Sequence, residues 1–288
     1  MRCYRYAGFL FLFGILLSGE VMAQIPSFSP LGKIQQEVGN TTVEVEYERP
    51  LARGREIYGG LVPWDKVWRT GAGYCTKLRF SKAVMVGDQP VPAGRYSLLS
   101  IPGKKEWMII LNKDTSLYSG HNHDPEKDVA RFRVRPTTTS RHYEALTIDL
   151  DLEGENARLY ISWTDTQLSF PINTSTEAET MAFIDGLFTR PLSDTLNYTF
   201  AAEYLFFGRK DLQKALKLTE LDLQAGNGGY VHRLRMELFE YLGHKDKAVE
   251  EVRRAVRFRK AHPLDAENQA WDLREWAMHE KRLLGALE

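Results

Sequence analysis

Cysteine is nearly absent from this chain: two in 288 residues, Cys3 and Cys75. Once an N-terminal leader carrying Cys3 is removed, Cys75 has no intramolecular partner, so no disulfide framework holds the fold. A basic excess is also missing. Lys and Arg together number 38 and Asp and Glu together number 38, a balance that excludes the cationic footprint of a nucleic-acid binder. Only one long apolar run exists, Ala7 to Leu17, and it is shorter than the ~20 residues needed to cross a bilayer. No Gly-rich phosphate loop, Gly-x-Ser-x-Gly elbow or His-Glu-x-x-His pair is present, so none of those signatures names a reaction and no cofactor is implied.

What the N-terminus does have is an export pattern. Arg2 and Arg5 precede the apolar run, and Val21-Met22-Ala23 places small residues at the −3 and −1 positions before Gln24. Basic, apolar and small residues in that order predict a secretory signal peptide over residues 1–23 and a periplasmic or secreted mature protein. No cysteine lies at the cleavage site, which argues against a lipid anchor. Loss of Arg2, Arg5 and Glu20 leaves the mature chain one unit negative, and no membrane span is expected after cleavage.

From about residue 33 to 173 the dominant period is two. Val43, Val45 and Tyr47 alternate with glutamates; Ala130, Phe132 and Val134 alternate with arginines; Leu146, Ile148, Leu150 and Leu152 alternate with polar residues. Ala157, Leu159, Ile161 and Trp163, then Leu168, Phe170 and Ile172, continue it. Such alternation gives strands with one buried and one wet face, as in antiparallel sheets. Tyr96–Ile101 and Trp107–Leu111 are apolar on both faces and should be central, joined by a hairpin at Pro102-Gly103-Lys104-Lys105. About nine strands without intervening helices predict an antiparallel β domain, sandwich or barrel-like, over residues 24–173.

At Thr174 the period changes. A polar cap at Thr174-Ser175-Thr176 followed by Glu177 and Glu179 starts the first helix of an all-α tail over residues 174–288. Further helices are expected at 194–207, 210–225, 229–242, 245–261 and 265–285, broken at Pro191, Gly208, Gly226 to Gly229, Gly243 and His262-Pro263. Ala215 and Ala248 occupy matching positions 33 residues apart, near the ~34 of a tetratricopeptide repeat. Helical hairpins of that kind, or a plain helical bundle, fit the tail. Repeats of this type often present a surface to a protein partner.

The most unusual segment is the long connection from Arg49 to Gly73, which holds Arg49, Arg53, Arg55, Tyr58, Trp64, Lys66, Trp68 and Arg69. Connections of this length in compact domains are usually functional or disordered, and its rings argue against disorder. Guanidinium and ammonium donors suit carboxylate, phosphate or sulfate, and aromatic faces suit a sugar ring. Arg49, Arg55, Tyr58, Trp64, Trp68 and Arg69 are therefore the candidate ligand-binding residues. The competing reading is a plug, with the tryptophans covering the open end of a sandwich and the arginines paired to Glu44, Glu48 or Asp65.

Gly54 to Gly73 (GREIYGGLVPWDKVWRTGAG), Val91 to Lys113 (VPAGRYSLLSIPGKKEWMIILNK) and Lys127 to Val134 (KDVARFRV) together resemble the domain-of-unknown-function 2911 family. Ser29-Pro30, Gln36 to Gly39 and Tyr47 to Pro50 carry the same likeness, which spans about residues 29–173. The resemblance implies an exported β domain, often with a tetratricopeptide-like tail, and implies no activity. One departure stands out: where the family commonly has Asn-Glu-Ala-Thr, this chain has Gly73-Tyr74-Cys75-Thr76.

Two smaller features carry possible chemistry. His121-Asn122-His123 puts two imidazoles on one side of an extended segment, a weak metal motif that Asp128 or His142 would have to complete. Cys75 shares a strand face with Lys77 and Arg79, whose charges would lower its pKa, although a small side chain on a half-exposed strand is the ordinary reading. Function is accordingly read as a non-catalytic periplasmic or envelope-associated binding module, its loop taking a small anionic or glycan ligand. The alternatives are a hydrolase in which Arg55 or Arg69 stabilises an anion, and a structural assembly protein with no small ligand. Export makes the first prediction: N-terminal sequencing of the periplasmic protein should begin at Gln24. Met1 retained in a membrane fraction would contradict it.

Overall fold

Residues 31–174 hold ten strands, all paired antiparallel, in a computed structural model that describes residues 26–285. The expected signal peptide lies outside the described residues. One sheet has six strands: β1 (Leu31–Val38), β2 (Thr41–Glu48), β3 (Thr76–Phe80), β6 (Gly94–Ile101), β7 (Trp107–Asn112) and β8 (Asp128–Val134), in the order β1-β2-β3-β6-β7-β8. The second has four: β4 (Val84–Val86), β5 (Gln89–Val91), β9 (Thr137–Glu153) and β10 (Asn156–Thr174), in the order β5-β4-β10-β9. Inward-facing residues of both sheets, among them Val43, Val45, Leu78, Leu98, Ile109, Ile148, Leu159 and Phe170, make one apolar core. The β domain is therefore a sandwich, sheet on sheet.

β6 and β7 are buried on both faces. Leu98, Ile109 and Leu111 point into the core, whereas Leu99 and Ile110 pack outward with Cys75 and Leu117. A small second cluster thus covers the outer face of the large sheet. In β10 the inward positions change parity, from Ala157, Leu159, Ile161 and Trp163 to Leu168, Phe170 and Ile172. Both runs lie in one strand, whose pairing with β9 shifts register between Ser162 and Thr166. Irregular pairing of this kind lets the buried face of a strand change over.

The chain divides into two compact units at Thr176/Glu177. The second contains α2 (Tyr198–Phe207), α3 (Leu212–Gln224), α4 (Tyr230–Tyr241), α5 (Lys245–Ala261) and α6 (Ala266–Gly285), after α1 (Thr176–Leu187) at the junction. Asp211 caps α3 by accepting from the Lys214 backbone N–H at 2.9 Å, which satisfies one of the helix's free first-turn donors. Apolar faces of α2, α3 and α4 share one core (Ala202, Leu205, Leu218, Leu234), and α4 to α6 share another (Met236, Val252, Trp276). Among the described residues no helix is long and apolar enough to cross a membrane.

Candidate functional site

The Arg49–Gly73 connection is ordered because it is sewn to both sheets. Its first limb bonds to β9: the Ala52 N–H donates to Glu144 O at 2.7 Å, and the Leu146 N–H donates to Pro50 O at 2.9 Å. Its return limb bonds to β6, with Trp68 and Ser100 exchanging N–H to C=O bonds at 2.7 and 2.9 Å. Trp68 thereby continues the line of β3 along its neighbour. Three non-glycine residues in this loop, Arg53, Asp65 and Thr70, have left-handed backbone, at φ 51°, 57° and 52°. For a β-branched residue such as Thr70 this is costly and persists only when surroundings fix it. Thr70 is fully buried, its hydroxyl 2.9 Å from that of Ser100, and its carbonyl accepts from the Thr76 hydroxyl at 2.7 Å.

Inside the loop the rings gather. Tyr58 lies edge-on to Trp107 at 4.9 Å and within 6.2 to 6.4 Å of Trp64, Trp68 and Trp163. Trp68 stacks on Trp163 at 6.0 Å. Burial, with Asp165 adding to it, pushes the Tyr58 hydroxyl well above the ordinary tyrosine range, so Tyr58 is a neutral packing element. Gly59 is needed beneath Trp64: its φ is +96°, and a Cβ there would lie 2.5 Å from the indole Nε1. The aromatic half of the loop closes the end of the sandwich, as the plug reading expects.

The cationic half does something else. Arg53, Arg55, Lys66 and Arg69 line a cavity of about 760 Å³ with Phe28, Trp68, His121 and Trp163, and no carboxylate side chain borders it. The expected pairs with Glu44, Glu48 or Asp65 do not form. Instead Arg55 donates to the carbonyls of Ala52 and Leu51 at 3.0 and 2.6 Å. Arg53 donates to Phe28 O at 3.2 Å and covers the Phe28 ring at 4.8 Å. Arg69 donates to Tyr118 O at 3.2 Å. Each guanidinium has five N–H donors, so most are left over.

Of the six candidate residues, Arg55, Trp68 and Arg69 meet at this cavity, whereas Arg49, Tyr58 and Trp64 are absent from its lining. Arg49 donates to Leu146 O and the Thr147 hydroxyl, each at 3.1 Å, and so clamps the loop's first limb to β9. Lining residues outside that set include Arg53, Lys66, Phe28, His121 and Trp163. Arg53 and Lys66 were visible as loop cations and His121 only as half of a weak metal motif; Phe28, Ser119 and Trp163 come from distant segments, and nothing in the sequence tied them to this loop.

His121 and His123 separate. His121 is at the cavity, whereas the His123 ring is covered, its Nε2 2.8 Å from Asp128 Oδ1, which also accepts from Asn112 at 2.8 Å. Among the described residues no three His, Cys, Asp or Glu side chains converge on a metal position. Cys75 is also corrected. It is buried rather than half-exposed, and burial raises its thiol pKa more than Lys77 and Arg69 lower it. At the departure from the family pattern, Gly73 has φ +53° and its Cα abuts the Glu48 carboxylate, where a Cβ would lie 2.0 Å from Oε1.

This geometry separates ring from cation. Trp68→Ala should cost about 3 kcal/mol or more, as for a packed aromatic removed from a core. Arg69→Ala should cost about 1 kcal/mol, the worth of one hydrogen bond in a half-exposed position. Urea denaturation of both variants checks this, and a loss of several kcal/mol at Arg69 would mark it as a structural cation.

Residues 29–172, half of the 288, match the model of a family described as "Protein of unknown function (DUF2911)". No curated protein matches the chain. The match covers the sandwich from Ser29, beside Phe28 at the cavity, through Ile172 in β10, and the chain belongs to this DUF2911 family.

Proposed function

We propose that the sandwich is a non-catalytic binding module, periplasmic or secreted, that holds a small anionic or glycan ligand in the Arg53–Arg69 cavity. One observation carries this reading: four cations border one cavity of about 760 Å³, and none has a carboxylate partner there. Several other cations of the same unit do have carboxylate partners, as Arg95 has in Glu46 at 3.2 Å and Arg158 in Glu153 at 2.7 Å. Cations gathered without counter-charge raise the local potential and draw an anion. Trp68 and Phe28 at the wall would pack against a sugar ring.

The hydrolase alternative has less support. The cavity lining offers no carboxyl group to serve as an acid or base, and His121 is its one imidazole. Export is part of the proposal and rests on the leader pattern of residues 1–23. Docking of a protein partner by the helical unit is part of it too, supported by Phe200, Phe207 and Tyr241, large rings left exposed there.

Calorimetric titration of the mature chain with inorganic phosphate, glucose 6-phosphate, glucuronate and glucose tests the reading. Glucose 6-phosphate and glucuronate should bind at least ~10-fold more tightly than glucose, more weakly as salt rises. Lys66→Ala and Arg69→Ala should each lose ~10-fold or more, the worth of a charge-assisted hydrogen bond. Anions binding no better than glucose would overturn it.

A further inference from the structure

A second cavity, whose lining shares only Ser29 with that of the cationic cleft, opens on the outer face of the large sheet. It encloses about 550 Å³ and is bordered by Cys75, Lys77, Glu46, Glu48, Arg95 and Thr115, among others. Lys77 is the unusual member. It sits in β3, between β2 and β6, and is only 7% exposed. Buried ammonium groups are normally paired with a carboxylate. Lys77 has no such ion pair among the described residues: its Nζ donates to the Ser97 hydroxyl at 2.8 Å, and Ser97 in turn donates to Asp114 O at 2.6 Å. The nearest acid on β2, Glu46, is engaged by Lys33 at 2.9 Å and Arg95 at 3.2 Å.

We propose that Lys77 is a nucleophilic amine that captures a small uncharged aldehyde as an imine in this cavity. The geometry supplies what the reaction needs. A neutral amine has two N–H bonds and one lone pair; Ser97 accepts one N–H and leaves the lone pair free. The nitrogen attacks the carbonyl carbon, a C–N bond forms, and the carbonyl oxygen leaves as water after taking up the two amine protons. Burial lowers the Lys77 pKa, with Arg95 adding to the effect and Cys75, Asp114 and Glu46 opposing it, so more of the amine is neutral near pH 8 than for a surface lysine. The wall carries Glu46 and Glu48 against Arg95, a balance that disfavours a carboxylate-bearing carbonyl compound and selects an uncharged one. This site is independent of the anion-binding reading.

Glycolaldehyde is a suitable probe. The mature full chain is incubated with it and cyanoborohydride, which reduces any imine to a stable hydroxyethyl amine, and labelled lysines are mapped by peptide mass spectrometry across pH 6 to 9. Lys77 should be labelled ~10-fold faster than exposed Lys104 and Lys105, with a pH midpoint below theirs, since each unit of lowered pKa gives up to tenfold more neutral amine. The comparison is made within one folded protein and needs no variant. A Lys77 labelled no faster than Lys104 and Lys105, or protected altogether, is a structural amine and overturns the proposal. Saturating inorganic phosphate, a non-carbonyl probe for the cationic cavity, should leave Lys77 labelling unchanged.

Discussion

Tyr58 packed among Trp64, Trp68, Trp107 and Trp163 is the contact on which the rest of the sandwich end depends. Trp107 belongs to the large sheet and Trp163 to the small one, whereas the other three rings come from the connection between β2 and β3. Ordering a long connection costs ~1–2 kcal/mol per residue in backbone entropy. Aromatic pairs return ~0.5–1.5 kcal/mol each beyond their burial, and the bonds from Ala52 to Glu144 and from Trp68 to Ser100 satisfy backbone groups that would otherwise lie unpaired at the sheet ends. The loop is rigid because its rings have nowhere else to go.

Rigidity places the charges. The rings occupy the interior, so Arg53, Arg55, Lys66 and Arg69 are carried on the outside of the same loop. Backbone carbonyls, rather than carboxylates, orient three of them. A carbonyl fixes a guanidinium without neutralising it, so each donor group is aimed while its charge stays available. That combination suits recognition of an anion better than a salt-bridged surface does. The ring face of the loop packs into the sandwich, and its cationic face lines the cavity proposed to bind an anion.

The alternation of Val43, Val45 and Tyr47 or of Leu146, Ile148 and Leu150 made the strands legible, since a half-buried antiparallel strand must show it. The double-sided burial of β6 and β7 was legible from the opposite pattern, runs apolar on both faces. The continuity of β10 was not, because the irregular register around Thr164 reverses parity and mimics a break between strands. β4 and β5, three residues each, are too short to show any period. Within the loop there is no period at all, so nothing distinguished Arg49, which clamps β9, from Arg55, which faces the cavity. Lys77 was equally hidden: alternation put it on the outer face, and only the 113–118 segment crossing that face makes it buried.

The dependence of the cationic cleft on the aromatic cluster is open to one direct measurement. Hydrogen exchange of the Ala52, Asp65 and Trp68 amides, which bond the loop to Glu144, Pro102 and Ser100, can be followed in Trp163→Leu beside titration with glucose 6-phosphate. These amides should lose protection while those of β6 and β7 keep theirs, and affinity should fall in step. Full binding by a loop whose amides exchange freely, or unchanged protection after loss of the Trp163 ring, would contradict the account.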